Sequence, residues 1–213
     1  MSSPPAERLT RDDWIAAARK ALIKGGVAAI KVDHLARQIR VTRGSFYWHF
    51  KDRNDLLRAL LQEWRQSNTD PFRQVTQQHA GKPVYQLAEF FCIWLRPGEF
   101  DPDFDSAVRD WARVSTAAAQ LVRQVDETRL DILRTLFQAL GFTKLEADIR
   151  ARVMYYHQVG YYALRIRETL DYRRSVFPTY FKVLVSVPFP SEYLDDNGAL
   201  ASAATRPARR ASG

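Results

Sequence analysis

A chain of 213 residues, 46% hydrophobic and 12% aromatic, is long enough to bury a core in one or two domains and too apolar to be disordered or fibrous. A single cysteine, Cys92, excludes an internal disulfide framework and a four-cysteine zinc site, and suits a reducing cytoplasm. The net charge of +8 is unevenly placed, with 13 Lys/Arg against 7 Asp/Glu in residues 1–66 and 19 against 17 in residues 67–213, where Arg206, Arg209 and Arg210 exceed the surplus.

That asymmetry points to a polyanion at one end of the molecule, although charge alone does not separate this from a solvated basic face. The opening "MSSPPAERLTRDD" has no apolar segment of the kind that starts a secretory leader. No apolar run approaches the roughly 20 residues that span a bilayer. A cytoplasmic protein without a membrane partner is the expectation.

Taken in chain order, nearly everything reads as helix. Residues 1–9 form a flexible lead. Thr10 offers an N-cap with Asp13 as its acidic partner, and Trp14, Ile15, Ala18, Leu22 and Ile23 recur at helical spacing until Gly25-Gly26. A short second helix covers about Val32–Arg40, with Leu35, Ala36 and Ile39 inward. A turn with a buried Val41 follows, and Thr42 caps a third helix running to about His49. Asp52 and Asp55 form a D-x-x-D cap for a fourth, whose face is Leu56, Leu57, Leu60, Leu61 and Trp64.

This divides the chain into a head over 10–51, a connecting helix over 52–69 that Pro71 ends, and a second domain over 70–190. Helices in the second domain are expected at about 83–96, 103–114, 116–140, 144–170 and 172–187, with proline or glycine at several of their ends. The remainder, 191–213, is expected to be disordered. The fold class is all-α.

The stretch "VTRGSFYWHF" decides how the head is read. At 100° per residue, Phe46 and Phe50 share one face, while Gly44 and Trp48, flanked by Ser45 and Tyr47, occupy the opposite arc. Two short helices joined by a tight turn make a helix-turn-helix, and nine helical residues span about 13 Å against a major groove about 12 Å wide. Arg43 can fork onto guanine O6 and N7, and Gly44 permits close backbone approach to the bases. Ser45 can bond a base edge, and Tyr47 can pack on a thymine methyl. Lys31, His49, Lys51 and Arg53 are placed for phosphate contacts. The competing reading, a buried aromatic cluster in an ordinary hairpin, leaves Tyr47 and Trp48 opposite the phenylalanine pair without a reason.

Residues 10 to 65 resemble the N-terminal DNA-binding domain of TetR family transcriptional regulators, through "WIAAARKALIKGGV" and "DHLARQIRVTRGSFYWHFKDRNDLLRALL", above all "RGSFYWHF". The resemblance implies that Arg43, Gly44, Ser45 and Tyr47 read bases, and that Thr42, Trp48, His49 and Arg53 touch the backbone. Two departures stand out. Lys31 replaces the usual Ser or Thr cap, weakening that helix start by about 1 kcal/mol. Arg40 replaces a frequent turn glycine, and carries strain if the backbone there is left-handed. Asp33, close to the expected DNA, can repel phosphate and tune specificity.

In the second domain Ile149, Val153, Tyr156, Gly160 and Leu164 form one stripe, and Val176, Tyr180 and Val183 another, which Phe177, Phe181 and Leu184 widen. Such breadth asks for partners on more than one side. The resemblance implies a homodimer paired through a four-helix bundle of the last two helices, reading a palindromic operator. It also implies an internal pocket for a small-molecule effector, with Phe90, Trp94, Phe104, Trp111, Phe137 and Tyr155 as candidates. Together these make a ligand-released repressor.

Activation by the same fold, or a helical adaptor that lacks operator binding, are the alternatives. An enzyme is disfavoured: His34, His49, His79 and His157 are scattered, and no metal, P-loop or dinucleotide motif stands in the chain, so no catalytic residue, cofactor or metal is expected.

Overall fold

In a computed structural model the protein is described over residues 9–201. Residues 1–8 and 202–213, where the expected flexible lead and most of the expected disordered tail fall, lie outside the described residues. The elements are α1 (Arg11–Gly25), a 3-10 turn (Val27–Ala29), α2 (Val32–Gln38), α3 (Arg43–Phe46), α4 (Arg53–Val75), α5 (Pro83–Cys92), α6 (Pro102–Ala112), α7 (Thr116–Ala139), α8 (Lys144–Ala163), α9 (Leu170–Val185) and a closing 3-10 turn (Ser191–Tyr193). The fold is all-α; among the described residues the only β feature is an isolated bridge between Leu194 and Leu200.

Two compact units emerge. Within the described residues, the first comprises the chain up to Gln66 together with Asp103–Val122, and the second Ser67–Pro102 and the chain from Arg123 to Ala201. In the first, Thr10 accepts from the Asp13 N–H while the Asp13 carboxylate accepts from the Thr10 N–H, a reciprocal cap that starts α1. Trp14, Ile15, Ala18 and Leu22 are buried as their spacing requires, but Ile23 stands outside the core, one position off the inward face. Gly26, at φ 70°, ends the helix by donating to the Leu22 carbonyl.

The turn after α2 explains the missing glycine. The Val41 N–H reaches back to the Ala36 carbonyl at 2.9 Å and the Arg40 N–H to Arg37 at 3.2 Å. This is a Schellman closure, whose residue after the C-cap must be left-handed. Arg40 fills it at φ 59°. Val41 is half-buried, and α2 begins at an extended Lys31 whose side chain makes no capping bond.

The structure differs from the expected elements at several points: α5 ends at Cys92 and α8 at Ala163, short of the expected 96 and 170. α6 and the start of α7, expected in the second domain, belong to the first unit: Trp64 Nε1 donates to Asp105 at 3.3 Å, and the Arg19 guanidinium lies over the Phe104 ring. α4 does not stop before Pro71 but runs through it to Val75. A proline deprives the preceding turn of one N–H and strains it. The carbonyl that loses its helical donor is that of Ser67; at the next residue the buried Arg129 donates to the Asn68 carbonyl at 2.7 Å, and the Asn68 side chain holds both backbone polar groups of Asp101.

α3 is four residues long instead of running to His49, and Thr42 makes no side-chain cap. The N–H groups of Tyr47, Trp48 and His49 bond carbonyls three residues back, a tighter winding than the α-helix. Finally, residues 191–201 are ordered where a disordered tail was expected, because Tyr193 and Leu200 are buried in the second unit's aromatic core.

Replacing Arg40 by glycine relieves roughly 1–2 kcal/mol of left-handed strain against a glycine entropy cost of roughly 0.5–1 kcal/mol. Arg40→Gly is therefore expected to stabilise the protein by about 0.5–1 kcal/mol, seen as a higher urea midpoint at unchanged slope.

Candidate nucleic-acid interface and ligand groove

What orients the interface is buried aromatic packing. Phe46 and Phe50 are stacked at 5.4 Å, and the Phe46 ring meets Trp14 of α1 edge-on at 5.2 Å. Both phenylalanines are essentially inaccessible, so the rest of α3 and its following turn has no choice but to face outward. Trp48 is 84% exposed and Tyr47 54%. Thr42, Arg43 and Gly44 are exposed and Ser45 and His49 half-buried; Lys31 and Lys51 are exposed beside them.

The glycine in this surface is informative. A Cβ built on Gly44 would meet only the Thr42 hydroxyl, at 3.7 Å, an ordinary contact, and the residue does not have positive φ. Nothing inside the protein asks for glycine at 44. Its absence of a side chain matters only to something that approaches from outside.

Arg43 reaches across the surface, its Nη2 donating to the Tyr47 hydroxyl at 3.4 Å and its Nη1 lying 3.6 Å from the Asp33 carboxylate. The Tyr47 hydrogen bond and then the Asp33 charge hold the guanidinium above its ordinary pKa.

Of the ten residues expected to face DNA, Arg53 has its guanidinium engaged within the protein. Arg53 donates from Nε to the Ile30 carbonyl at 2.6 Å and from Nη2 to the Val27 carbonyl at 2.7 Å. It closes the 3-10 turn ahead of α2, and is a brace for the interface more than part of its surface. The signal was available in the chain: the turn at 26–30 needs donors for its carbonyls, and an arginine in the first turn of α4 can supply two.

The six aromatics expected to line a pocket are largely spent elsewhere. Phe90 and Phe137 are fully buried in the second unit's core, and Phe104 and Trp111 lie in the first unit. Tyr155 donates to Asp126 at 2.6 Å and accepts from Arg129 at 3.0 Å. Of the six, Trp94 alone borders a groove among the described residues, one lined from α8, α9 and the end of α5 with the turn after it.

The floor of that groove is Phe91, Trp94, Phe177 and Leu184, and its polar end is His157, Gln158, Tyr161, Glu168 and Arg173. Burial holds the His157 imidazole below its usual pKa, with Glu168 pulling up and Arg173 pushing down. Arg173 lies over the Tyr161 ring at 4.6 Å, and Tyr161 donates to Glu168 at 3.1 Å. The Gln158 amide nitrogen is buried without a partner, a donor that an inserted acceptor would satisfy.

At the polar end of the groove, Gln158, Glu168 and Arg173 were not expected, because charged and polar side chains on or beside a helix carry no local signal that separates a groove wall from solvated surface. Arg129 was overlooked for the opposite reason. It sits in the Val122, Val125, Leu133, Leu136 stripe, where an arginine on an apolar face marks a buried cation.

The two stripes singled out for self-association are open to solvent. Ile149, Val153 and Tyr156 on α8, Leu164 at its C-cap, and Tyr180 and Val183 on α9 are all exposed, with Gly160 and Val176 half-buried among them. Leu145 and Tyr172, not expected in the stripes, extend them by one turn each. Phe177 and Phe181, expected to widen the second stripe, face inward instead. α9 therefore has two apolar faces, one spent on the core and one not. Among the described residues no helix is long and apolar enough to cross a membrane, and no cluster of three metal-ligating side chains occurs.

Residues 15–60 match the family described as bacterial regulatory proteins, tetR family. A stretch of 52 residues is 44% identical to the HTH-type transcriptional regulator TtgR of Pseudomonas putida, covering 24% of this chain and 25% of that protein. The likeness thus spans about a quarter of the length of such curated relatives. Among solved structures, SmeT, the repressor of the Stenotrophomonas maltophilia multidrug efflux pump SmeDEF, has a TM-score of 0.62 at 18% identity, over 94% of this chain and 98% of its own. FadR from Bacillus subtilis in complex with stearoyl-CoA gives 0.59 at 18%, over 83% and 98%. At such identities the likeness is one of fold.

Because the Arg53 guanidinium holds two carbonyls, Arg53→Ala is expected to lower stability by about 1.5–3 kcal/mol, with Arg53→Lys restoring only part, since one ammonium cannot fork. Urea unfolding of the three proteins measures both effects.

Proposed function

The chain belongs, through its N-terminal domain, to the TetR family of bacterial regulatory proteins, and on that premise we propose that it is a ligand-responsive repressor that binds a palindromic operator as a homodimer. The observation that carries this reading is the outward surface of α3 and its turn. Arg43, Tyr47 and Trp48 are displayed opposite a buried phenylalanine pair, around a glycine that nothing in the protein requires.

In this reading Arg43, Gly44, Ser45 and Tyr47 meet base edges in the major groove, while Lys31, Thr42, Trp48, His49 and Lys51 contact the sugar–phosphate backbone. Arg53 acts from behind, holding the turn that precedes α2. A two-fold pair of heads reads two half-sites, so a palindrome follows from the symmetry of the dimer. The exposed stripes of α8 and α9 supply its interface, as the amphipathic excess on α9 suggests. Activation in place of repression would require only a different operator position.

The effector site we propose is the α5–α8–α9 groove, not the aromatic core. Its floor is apolar, and its polar end offers a buried amide donor together with His157 and Arg173. FadR holding stearoyl-CoA in a related fold supports a small-molecule effector without naming this one. A coupling of about 1–3 kcal/mol between groove and operator changes affinity roughly 5- to 150-fold. α4, whose residues fall in both units, supplies a continuous helical backbone for that coupling.

Selection of bound duplexes from a random DNA pool tests the class directly. A palindromic consensus is expected, and failure to enrich any duplex removes the reading. Gly44→Leu is expected to leave stability unchanged or raised, yet to weaken binding to the selected duplex about tenfold or more, a loss of about 1.4 kcal/mol, in fluorescence anisotropy. Ile149→Glu combined with Val183→Glu places carboxylates on both stripes. Light scattering should then give half the wild-type mass, whereas an unchanged mass would assign the stripes another role.

A further inference from the structure

One acidic side chain stands in the surface assigned to DNA. Asp33 projects from the first turn of α2, its side chain 62% exposed, with Oδ1 3.6 Å from Arg43 Nη1. On its other side the Arg43 guanidinium is held by the Tyr47 hydroxyl. So exposed an ion pair adds little to folding. Beside phosphates its carboxylate is a liability, because it repels the backbone and offsets the charge of the arginine it touches. A residue that neither the fold nor general affinity calls for is one whose use lies in discrimination.

The chemistry of the pair matches one base pair better than the others. A guanidinium offers only donors and a carboxylate only acceptors. In the major groove a G·C pair presents the N7 and O6 acceptors of guanine beside the N4 donor of cytosine. An arginine alone is satisfied by guanine and makes no demand on the opposite strand. An arginine with a carboxylate at its shoulder complements both halves of the edge. The same carboxylate set against the O4 of thymine would face acceptor with acceptor, so it rejects as well as attracts. Gly44, exposed next to Arg43 and lacking a side chain, adds no bulk beside the pair.

We propose that Asp33 and Arg43 act as a two-residue reader of a G·C pair in each half-site, Arg43 donating to guanine O6 and N7 while Asp33 accepts from cytosine N4. This rests on the operator-binding reading above and makes Asp33 a specificity-determining residue.

The experiment is duplex selection from a random pool by the full chain, run in parallel for wild type, Asp33→Asn, Asp33→Ala and Arg43→Ala, each first checked for an unchanged melting curve. Wild type should fix a G·C pair at one position of each half-site, and Arg43→Ala should lose it there. Asp33→Ala should reduce discrimination at that position by about fivefold or more while tightening binding to mixed-sequence duplex. Asp33→Asn keeps an acceptor oxygen without the charge and should retain an intermediate preference.

An unchanged consensus in Asp33→Ala overturns the inference. So does equal loss in the Asn and Ala variants, since the carboxylate would then act through charge alone. Wild-type protein that enriches no duplex overturns instead the reading on which the inference rests.

Discussion

The outward surface of the N-terminal unit depends on where two phenylalanines go. Phe46 and Phe50 are one helical turn apart and buried to within 2% of complete, stacked on each other, with Phe46 fastened edge-on to Trp14. Aromatic side chains of that size dominate local packing, and edge-to-face pairs add about 0.5–1.5 kcal/mol beyond the area they bury. With those two rings committed, the residues between and before them cannot rotate inward without exposing the core. Display of Arg43, Tyr47 and Trp48 is thus a consequence of burial on the other face. The tight winding after α3 changes the length of the helix but leaves the outward face outward.

Polar contacts then fix the frame that the aromatic packing holds up. The Schellman closure after α2 sets the angle at which α3 departs, and it does so with a left-handed arginine where glycine would be relaxed. Arg53 ties off the carbonyls of the turn before α2. These features consume donors and tolerate strain around a surface whose own members, apart from the Asp33–Arg43–Tyr47 chain, are left open. A region that spends its hydrogen bonds on bracing and leaves its basic and aromatic side chains exposed suits recognition better than self-contained stability.

The second unit shows the reverse economy. Its aromatics are absorbed into one core, where Phe72, Phe90, Phe137 and Phe181 are inaccessible and even a guanidinium, that of Arg129, is caged among rings and hydrogen-bonded to Tyr155 and Asn68. What it leaves outside is an apolar stripe on each of α8 and α9, together with a groove whose polar end holds an unpartnered amide. Aromatic content alone therefore misled as a guide to a cavity. In a close-packed interior a large ring fills space, and the groove lies instead where polar and charged side chains share its lining.

The division between what the chain itself determines and what tertiary structure decides follows the range of the forces. Thr10 with Asp13, Gly26, the D-x-x-D start of α4 and the Phe46–Phe50 pair act within a turn or two of helix, and their consequences were legible in the residues. So was the exposure of Ile149, Val153, Tyr156 and Val183, because a helix with two apolar faces can spend only one on its own core. Contacts between distant segments were not legible. Pro71 reads locally as a stop, yet α4 runs through it to Val75, in a stretch where Arg129, 58 positions along the chain, donates to the carbonyl of Asn68. Arg53 reads as a phosphate contact until the carbonyls of Val27 and Ile30 are seen to take it, and α6 reads as part of the second domain until Asp105 meets Trp64. Helical periodicity is written in neighbours a few residues apart, whereas the partner of a buried polar group is chosen by three-dimensional proximity, and only the folded chain brings those groups together.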